Sequence, residues 1–384
     1  EHDGGPAARQ HHEMAYDSTR RVTVLFGGEV DQEDRGDTWE GNGESWAWRD
    51  PKDPENDGDP DVRKRHAMAY DSRRAVTVLF GGLQNFNDQL GDTWEWNGLS
   101  WARRTPADPE GDGDPQPRAN HAMAYDPARG VTVLFGGAVG FSPSRETWEW
   151  DGGSWRLAAV TGPPALQLHA MAYDQVREAV ILFGGDLDEA GDASGMTGDL
   201  WSWNGTDWTL EEAAAGPGTP PPRRAHAAAC DTASRTILVF GGALEDHILG
   251  HNDTWEWDGT GWLRRGPRDP DGDGEPSARH RAAVARDGAR GMVVAFGGQT
   301  ERLNGGELDE TWEWDGRGWT LVCPSASCTA FPEARVDAAM ADTGSDGVLL
   351  FGGDSSVSNY HADTWSWDGA AWTEVTPGTG DPPG

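Results

Sequence analysis

The segment that decides the fold runs His66-Ala-Met-Ala-Tyr70-Asp71, Val76-Thr-Val-Leu-Phe80-Gly81-Gly82, Asp92-Thr-Trp94-Glu-Trp96, Asn97-Gly98, Ser100-Trp101. It holds four short stretches of strand composition, separated by turn residues. Asp71-Ser72-Arg73-Arg74 joins the first two, where an Asp carboxylate caps its own turn. Asn97-Gly98 joins the last two, and this dipeptide accepts the positive φ angles of a tight hairpin. Phe-Gly-Gly recurs at Phe26, Phe80, Phe135, Phe183, Phe240, Phe296 and Phe351, at spacings of 48 to 57 residues. A period near fifty with this content predicts a closed ring of small sheets, because a lone four-stranded unit cannot cover both of its faces. The expected fold is all-β: a seven-bladed β-propeller of four-stranded antiparallel blades. One domain spans 1–384, with blades at about 9–50, 63–104, 118–158, 166–210, 223–265, 279–321 and 335–376. First and last blades each contain all four strand segments, so no strand exchange is expected at closure.

All but one of the 21 tryptophans, Trp48, fall at repeat positions, and Gly41 is the one gap in that pattern. Packing between blades is the expected role, with carbohydrate stacking as the alternative. The chain resembles the kelch-repeat propellers. A double glycine ends the second strand, aromatics stand on the third, a Trp stands on the fourth, and Pro-x-x-Arg leads into the next unit, as in Pro60/Arg63 and Pro115/Arg118. The fourth unit departs from the pattern, with Leu166 in the Arg place. The resemblance implies the fold and leaves binding protein, lectin-like protein and enzyme all open. Kelch-type copper oxidases use a tyrosine crosslinked to cysteine, and Tyr360 has no such Cys evident beside it.

The net charge is −34, from 65 acidic and 31 basic residues, which opposes nucleic acid and anionic lipid as partners. No apolar run approaches the length of a membrane span, so no membrane insertion is expected. Cys323 and Cys328 flank Pro324 at a spacing that suits a disulfide, and the chain opens at Glu1 as a processed product would. Both point to export, to an extracellular or cell-surface location.

Short turns fall on one face of the disc and long, varied loops on the other, where binding sites usually sit. Two rings of side chains are expected at the channel mouth on that face. One is Arg9, Arg63, Arg118, Arg223, Arg279 and Arg335; the other is His12, His66, His121, His169 and His226. The Arg ring could form an anion funnel, with Arg63, Arg118, Arg223 and Arg279 as ligand residues and His66, His121 and His226 as proton carriers, or it could tie blades together. Leu166 would leave an apolar gap in the ring. Three loops repeat a pattern of alternate acids: Asp53, Glu55, Asp57, Asp59; Asp108, Glu110, Asp112, Asp114; and Asp269, Asp271, Asp273, Glu275. A Gly follows the third acid, as in the first half of a calcium loop, but the twelfth positions are Lys64, Ala119 and His280, so other ligands would have to complete the sphere. A solvated acidic linker is the alternative.

No nucleophile elbow, zinc helix or phosphate loop is present, and no organic cofactor is indicated. The expected function is a binding or assembly module, stabilised by calcium, whose partner is a protein or glycan. The alternatives are a lyase or isomerase using the Arg/His mouth on an anionic substrate, and a structural protein that self-assembles through its loop face.

Overall fold

The computed structural model describes residues 5–375, apart from 31, 44, 55, 110, 188–194, 215, 217, 232–234, 244–249, 267–273, 301–305, 324–329, 344–346 and 356–358. Seven four-stranded antiparallel sheets follow one another in chain order. The first blade is Glu13–Asp17, Val22–Phe26, Thr38–Gly41 and Trp46–Arg49. The last is Ala339–Asp342, Val348–Phe351, Thr364–Trp367 and Trp372–Glu374, so each of the two keeps its own four strands. Strands are called a to d from the channel outwards.

The pleat explains why strand b is apolar but for a single buried Thr in several blades, Thr77 in blade 2. In blade 2, Val78 and Phe80 pack on Met123, Leu134 and Trp155 of blade 3. Leu79, on the other face, packs with Trp94, Trp96 and Trp101 on Ala15, Val24 and Phe26 of blade 1. A strand buried on both faces has no polar side. Burying one such residue contributes about 1.5–3 kcal/mol, so the cores between blades are the main stabilising element.

Two indole bonds repeat around the ring. Trp101 Nε1 donates to Thr38 Oγ1 of the preceding blade at 2.8 Å, and Trp96 Nε1 donates to Glu40 Oε1 at 2.8 Å. Trp46 closes the ring in the same way on Thr364, at 2.7 Å. The carboxylate that receives the second indole is a hub. Glu95 is 2% exposed and takes Trp150 Nε1 at 2.8 Å, Arg104 Nε at 2.8 Å and Arg74 Nη1. Blade 7 carries Ser366 at the hub position, and the next blade carries Gly41 where the partner Trp would stand. Blade 4 carries Leu200 in the Thr place, which leaves Trp262 Nε1 buried without an acceptor among the described residues.

The double glycine is dictated by approach and φ. Gly81 has φ +66°, and a Cβ there would lie 2.7 Å from the Arg118 carbonyl; at Gly82, with φ +105°, it would lie 2.8 Å from the Lys64 carbonyl. Both clashes are with backbone that cannot yield.

Candidate functional site at the channel mouth

The Arg ring is present but turned inwards. Arg63 is 0% exposed: Nε donates to the Asp61 carbonyl at 2.9 Å, Nη1 to the Gly81 carbonyl at 3.0 Å, and the fork takes Asp92 at 2.7 and 2.8 Å. Arg223 repeats this with Asp253 at 2.7 and 2.9 Å, while Arg118 and Arg279 bind Glu146 and Glu310 through Nη2 at 2.6 and 2.7 Å. Each guanidinium thus clamps the first glycine of Phe-Gly-Gly to the start of strand c within its own blade. The anion funnel expected of these residues is corrected accordingly. A buried fork already filled by a carboxylate and two carbonyls has no donor facing solvent. Leu166 does not open a gap either, because it is buried and packs with Phe135 and Leu182.

The imidazoles are edge-on packing pieces between blades. His66 lies against Phe26 (centroids 5.7 Å apart), His121 against Phe80 (5.6 Å) and His226 against Phe183 (5.1 Å). Burial holds His121, His169 and His226 at a pKa of about 3 and lowers that of His66 as well, so the rings are neutral at physiological pH. His226 is half-buried and reaches the channel cavity.

Between these two rings lies a third, made of residues that belong to no repeated motif. His11, Arg65, Asn120, Leu168, Ala225, Arg281 and Asp337 stand two residues after the Arg position. All seven are left-handed, with φ between 48° and 58°. Backbone bonds link them from blade to blade: Arg65 N to His11 O (3.0 Å), Asn120 N to Arg65 O (3.2 Å), Leu168 N to Asn120 O (3.2 Å), Arg281 N to Ala225 O (3.0 Å) and Asp337 N to Arg281 O (3.2 Å). The seven side chains line a cavity of about 430 Å³ at the mouth. A second cavity of about 420 Å³ runs into the channel, past His12 and Glu13. Glu13 stands where the other blades carry alanine, and burial raises its pKa to about 8. The available signal was variability: this belt position differs in nearly every repeat, between an Arg and a His that seldom change.

The belt is unevenly charged. Arg281 is paired with Asp337 and Arg224 with Asp186 (3.0 Å). Glu29 accepts from Gln10 (2.9 Å) and Lys64 and faces His11 (3.1 Å); the His11 contact, then Lys64, outweighs burial and brings its pKa to about 2. Arg65 is exposed and has no carboxylate partner among the described residues.

The acidic loops brace the outer edge of the disc. Asp53 accepts from the Asp57 and Gly58 amides at 2.9 and 3.2 Å, and Asp108 accepts from Gly113 at 3.2 Å. Asp57 Oδ2 takes the Arg103 amide and Asp112 Oδ2 the Leu157 amide, both at 2.8 Å, which satisfies donors on exposed strand-d edges. The other oxygens, Asp57 Oδ1 and Asp112 Oδ1, are buried and have no partner among the described residues. Burial and the neighbouring carboxylates raise the pKa values of Asp59 and Asp114. Among the described residues, no three His, Cys, Asp or Glu side chains form a metal-binding group. Glu55, Glu110, Asp269, Asp271, Asp273 and Cys328 lie outside the described residues, whereas Cys323 is buried at the end of a strand d. Among the described residues no helix is long and apolar enough to cross a membrane.

Fold and mouth together define a seven-bladed β-propeller with a side-chain belt around one channel opening. The family model described as the KLHDC2/KLHL20/DRC7 Kelch-repeats domain matches residues 99–261. The chain is also 32% identical over 133 residues, 31% of its length, to tRNA wybutosine-synthesizing protein 4 of Emericella nidulans, and it spans 12% of that protein. The kelch-repeat match covers less than half of the chain, and Phe-Gly-Gly repeats beyond it in all seven blades, so the fold is that of a kelch-type propeller, a fold that generally serves as a protein-binding scaffold.

Proposed function

We propose that this propeller is a protein-binding module that docks its partner on the long-loop face, at the belt around the channel mouth. The belt conformation carries the reading. A non-glycine residue in the left-handed region costs roughly 1–2 kcal/mol, whereas glycine adopts it freely. Glycine stands at every Phe-Gly-Gly position, where a Cβ would strike backbone, yet at none of the seven belt positions. Side chains kept at that cost, on a rigid frame and facing an open cavity, fit a recognition surface.

Two features of the module follow the same reading. Calcium would complete the acidic loops, where Asp57 Oδ1 and Asp112 Oδ1 lack partners among the described residues and where burial, then the neighbouring carboxylates, already disfavours charge on Asp59 and Asp114. A disulfide between Cys323 and Cys328 would staple the sixth junction of an exported protein, at the place where other junctions carry acids.

The test is a photo-crosslinking residue placed at Ala225 on the belt or at Thr206 on the opposite face, in the cell that makes the protein. Adducts with a second protein should form at Ala225 and not at Thr206. Adducts at neither position, or equally at both, overturn the reading; adducts made only of this chain would replace it with self-assembly.

A further inference from the structure

Among the described residues, the two most exposed large apolar side chains on the loop face are Phe86, at 80%, and Phe141, at 75%. Each stands at the tip of a b–c hairpin. In blade 2 strands b and c run on beyond the sheet as Val76–Gln84 and Asp88–Trp96; in blade 3 a short extra ladder, Ala138–Val139 with Ser142–Pro143, does the same. These hairpins are tied together. Gln89 Nε2 donates to the Ala138 and Gly140 carbonyls at 3.0 and 3.1 Å, and the Gly140 amide donates back to Gln89 Oε1 at 2.6 Å. The phenyl rings are therefore carried on a braced platform, and a platform ordered in advance loses less entropy on binding.

Between this platform and the belt lies a cavity of about 500 Å³, lined on its apolar side by Leu83, Phe141 and Leu168 and on its polar side by Arg65 and Arg224. Leu168 is 47% exposed despite its apolar side chain. Arg224 is neutralised by Asp186, which leaves Arg65 as the charge that faces a ligand here. In a chain of net charge −34, an exposed cation with no carboxylate partner among the described residues, beside the exposed Phe141 and Leu168 and the half-buried Leu83, is complementary to an anion attached to an apolar group.

We propose that this corner of the mouth, over blades 2 to 4, binds an extended segment of a partner protein that presents an apolar side chain close to an Asp or Glu. The apolar side chain seats between Phe141 and Leu168, and the carboxylate meets the Arg65 guanidinium. Phe86 lies outside the cavity lining, on the next hairpin, and covers chain that continues past the carboxylate; an internal segment fits this better than a chain end. The proposal rests on the loop face being the docking face and adds the chemistry of what docks there.

The experiment uses the full chain and a display library of random twelve-residue segments held at both ends, selected in physiological salt. Enriched segments should share an apolar residue within a few positions of Asp or Glu. Phe86→Ser with Phe141→Ser should weaken their binding about tenfold or more without moving the melting temperature, as expected for central aromatic anchors. Arg65→Glu should turn selection towards Lys and Arg. Segments without acids, indifference to Arg65→Glu, selection only of free carboxy-termini, or no enrichment each overturn the proposal. If crosslinking at Ala225 still traps a partner in that event, the docking face stands and this chemistry falls; if crosslinking fails too, both fall.

Discussion

Replacing Arg223 by Gln tests whether the Arg ring holds the blades or meets ligands. The guanidinium is 0% exposed, and Asp253, its bidentate partner, is 8% exposed. Gln cannot reach Asp253, the Gly241 carbonyl and the Pro221 carbonyl together, so a buried carboxylate loses its counter-charge. Breaking such a pair from one side costs about 3–5 kcal/mol. Arg118→Gln should cost less, about 2–3 kcal/mol, because Glu146 is 31% exposed, is held through one nitrogen, and can turn to water. In melting experiments the difference becomes a drop of roughly 6–10 °C for Arg223→Gln and about half that for Arg118→Gln, at a few degrees per kcal/mol. Adding Asp253→Asn to Arg223→Gln should recover part of the loss, since the unpaired charge is removed. pH gives a second handle. Burial pushes the Asp253 pKa up, but the Arg223 hydrogen bonds outweigh it, so the folded pKa is below the unfolded one. The pair's stabilisation is therefore complete above about pH 4 and lost as pH falls further, and Arg223→Gln should cost least in acid. If Arg223→Gln melts with the parent and only ligand binding suffers, the clamp reasoning is refuted.

Glu13→Ala restores the alanine of the other six blades. The folded pKa of Glu13, about 8, lies above its unfolded value, so the native state loses stability as pH rises from about 4.5 to 8. The carboxyl is partly open to channel water, which screens it, so the variant should gain about 1–2 kcal/mol at pH 9 and little at pH 4.5, measured by denaturant titration. The inter-blade histidines act in the opposite direction: with folded pKa values near 3, they remain unprotonated while the unfolded chain takes up protons, so stability falls as pH drops below about 6.5. His121→Phe, which keeps an aromatic ring against Phe80, should make that slope shallower by about one proton. Glu95→Gln leaves Arg74, Arg104 and Trp150 around a neutral hub and should cost about 2–3 kcal/mol in thermal or chemical unfolding. For the acidic loops, melting temperature should rise with added calcium and fall with chelator, and Asn at Asp57, Asp112 and Asp273 together should abolish the response; melting indifferent to calcium would remove the ion from the account.

The ring of blades was legible because its causes are local and repeated. Asn97-Gly98 makes a hairpin wherever it stands, Gly81-Gly82 marks backbone that side chains cannot enter, and seven copies average out the irregular loops. Legible too were the outward variability of the loop face and the expectation that Trp94 and Trp96 pack between blades. The fate of an ionisable side chain was not legible. Pro-x-x-Arg gives the position of Arg63 in the repeat, but whether its fork faces water or Asp92 depends on a carboxylate 29 residues later in the chain. Glu95 reads as the polar half of an alternating strand; only the neighbouring blade, by bringing Trp150 against it, makes it a buried hub.

The sequence by itself determined the number of blades, their strand order and which face carries the long loops, since turn chemistry and apolar alternation act over a few residues. Tertiary structure alone decided which residues line the channel mouth. In the belt of His11, Arg65, Asn120, Leu168, Ala225, Arg281 and Asp337, five of the amides find their acceptor in the preceding blade, and all seven residues hold a left-handed φ that no neighbouring residue requires. Backbone strain imposed from another blade leaves no mark in a local pattern, so the seven residues facing the channel mouth are ordinary in sequence and distinct only once the ring has closed.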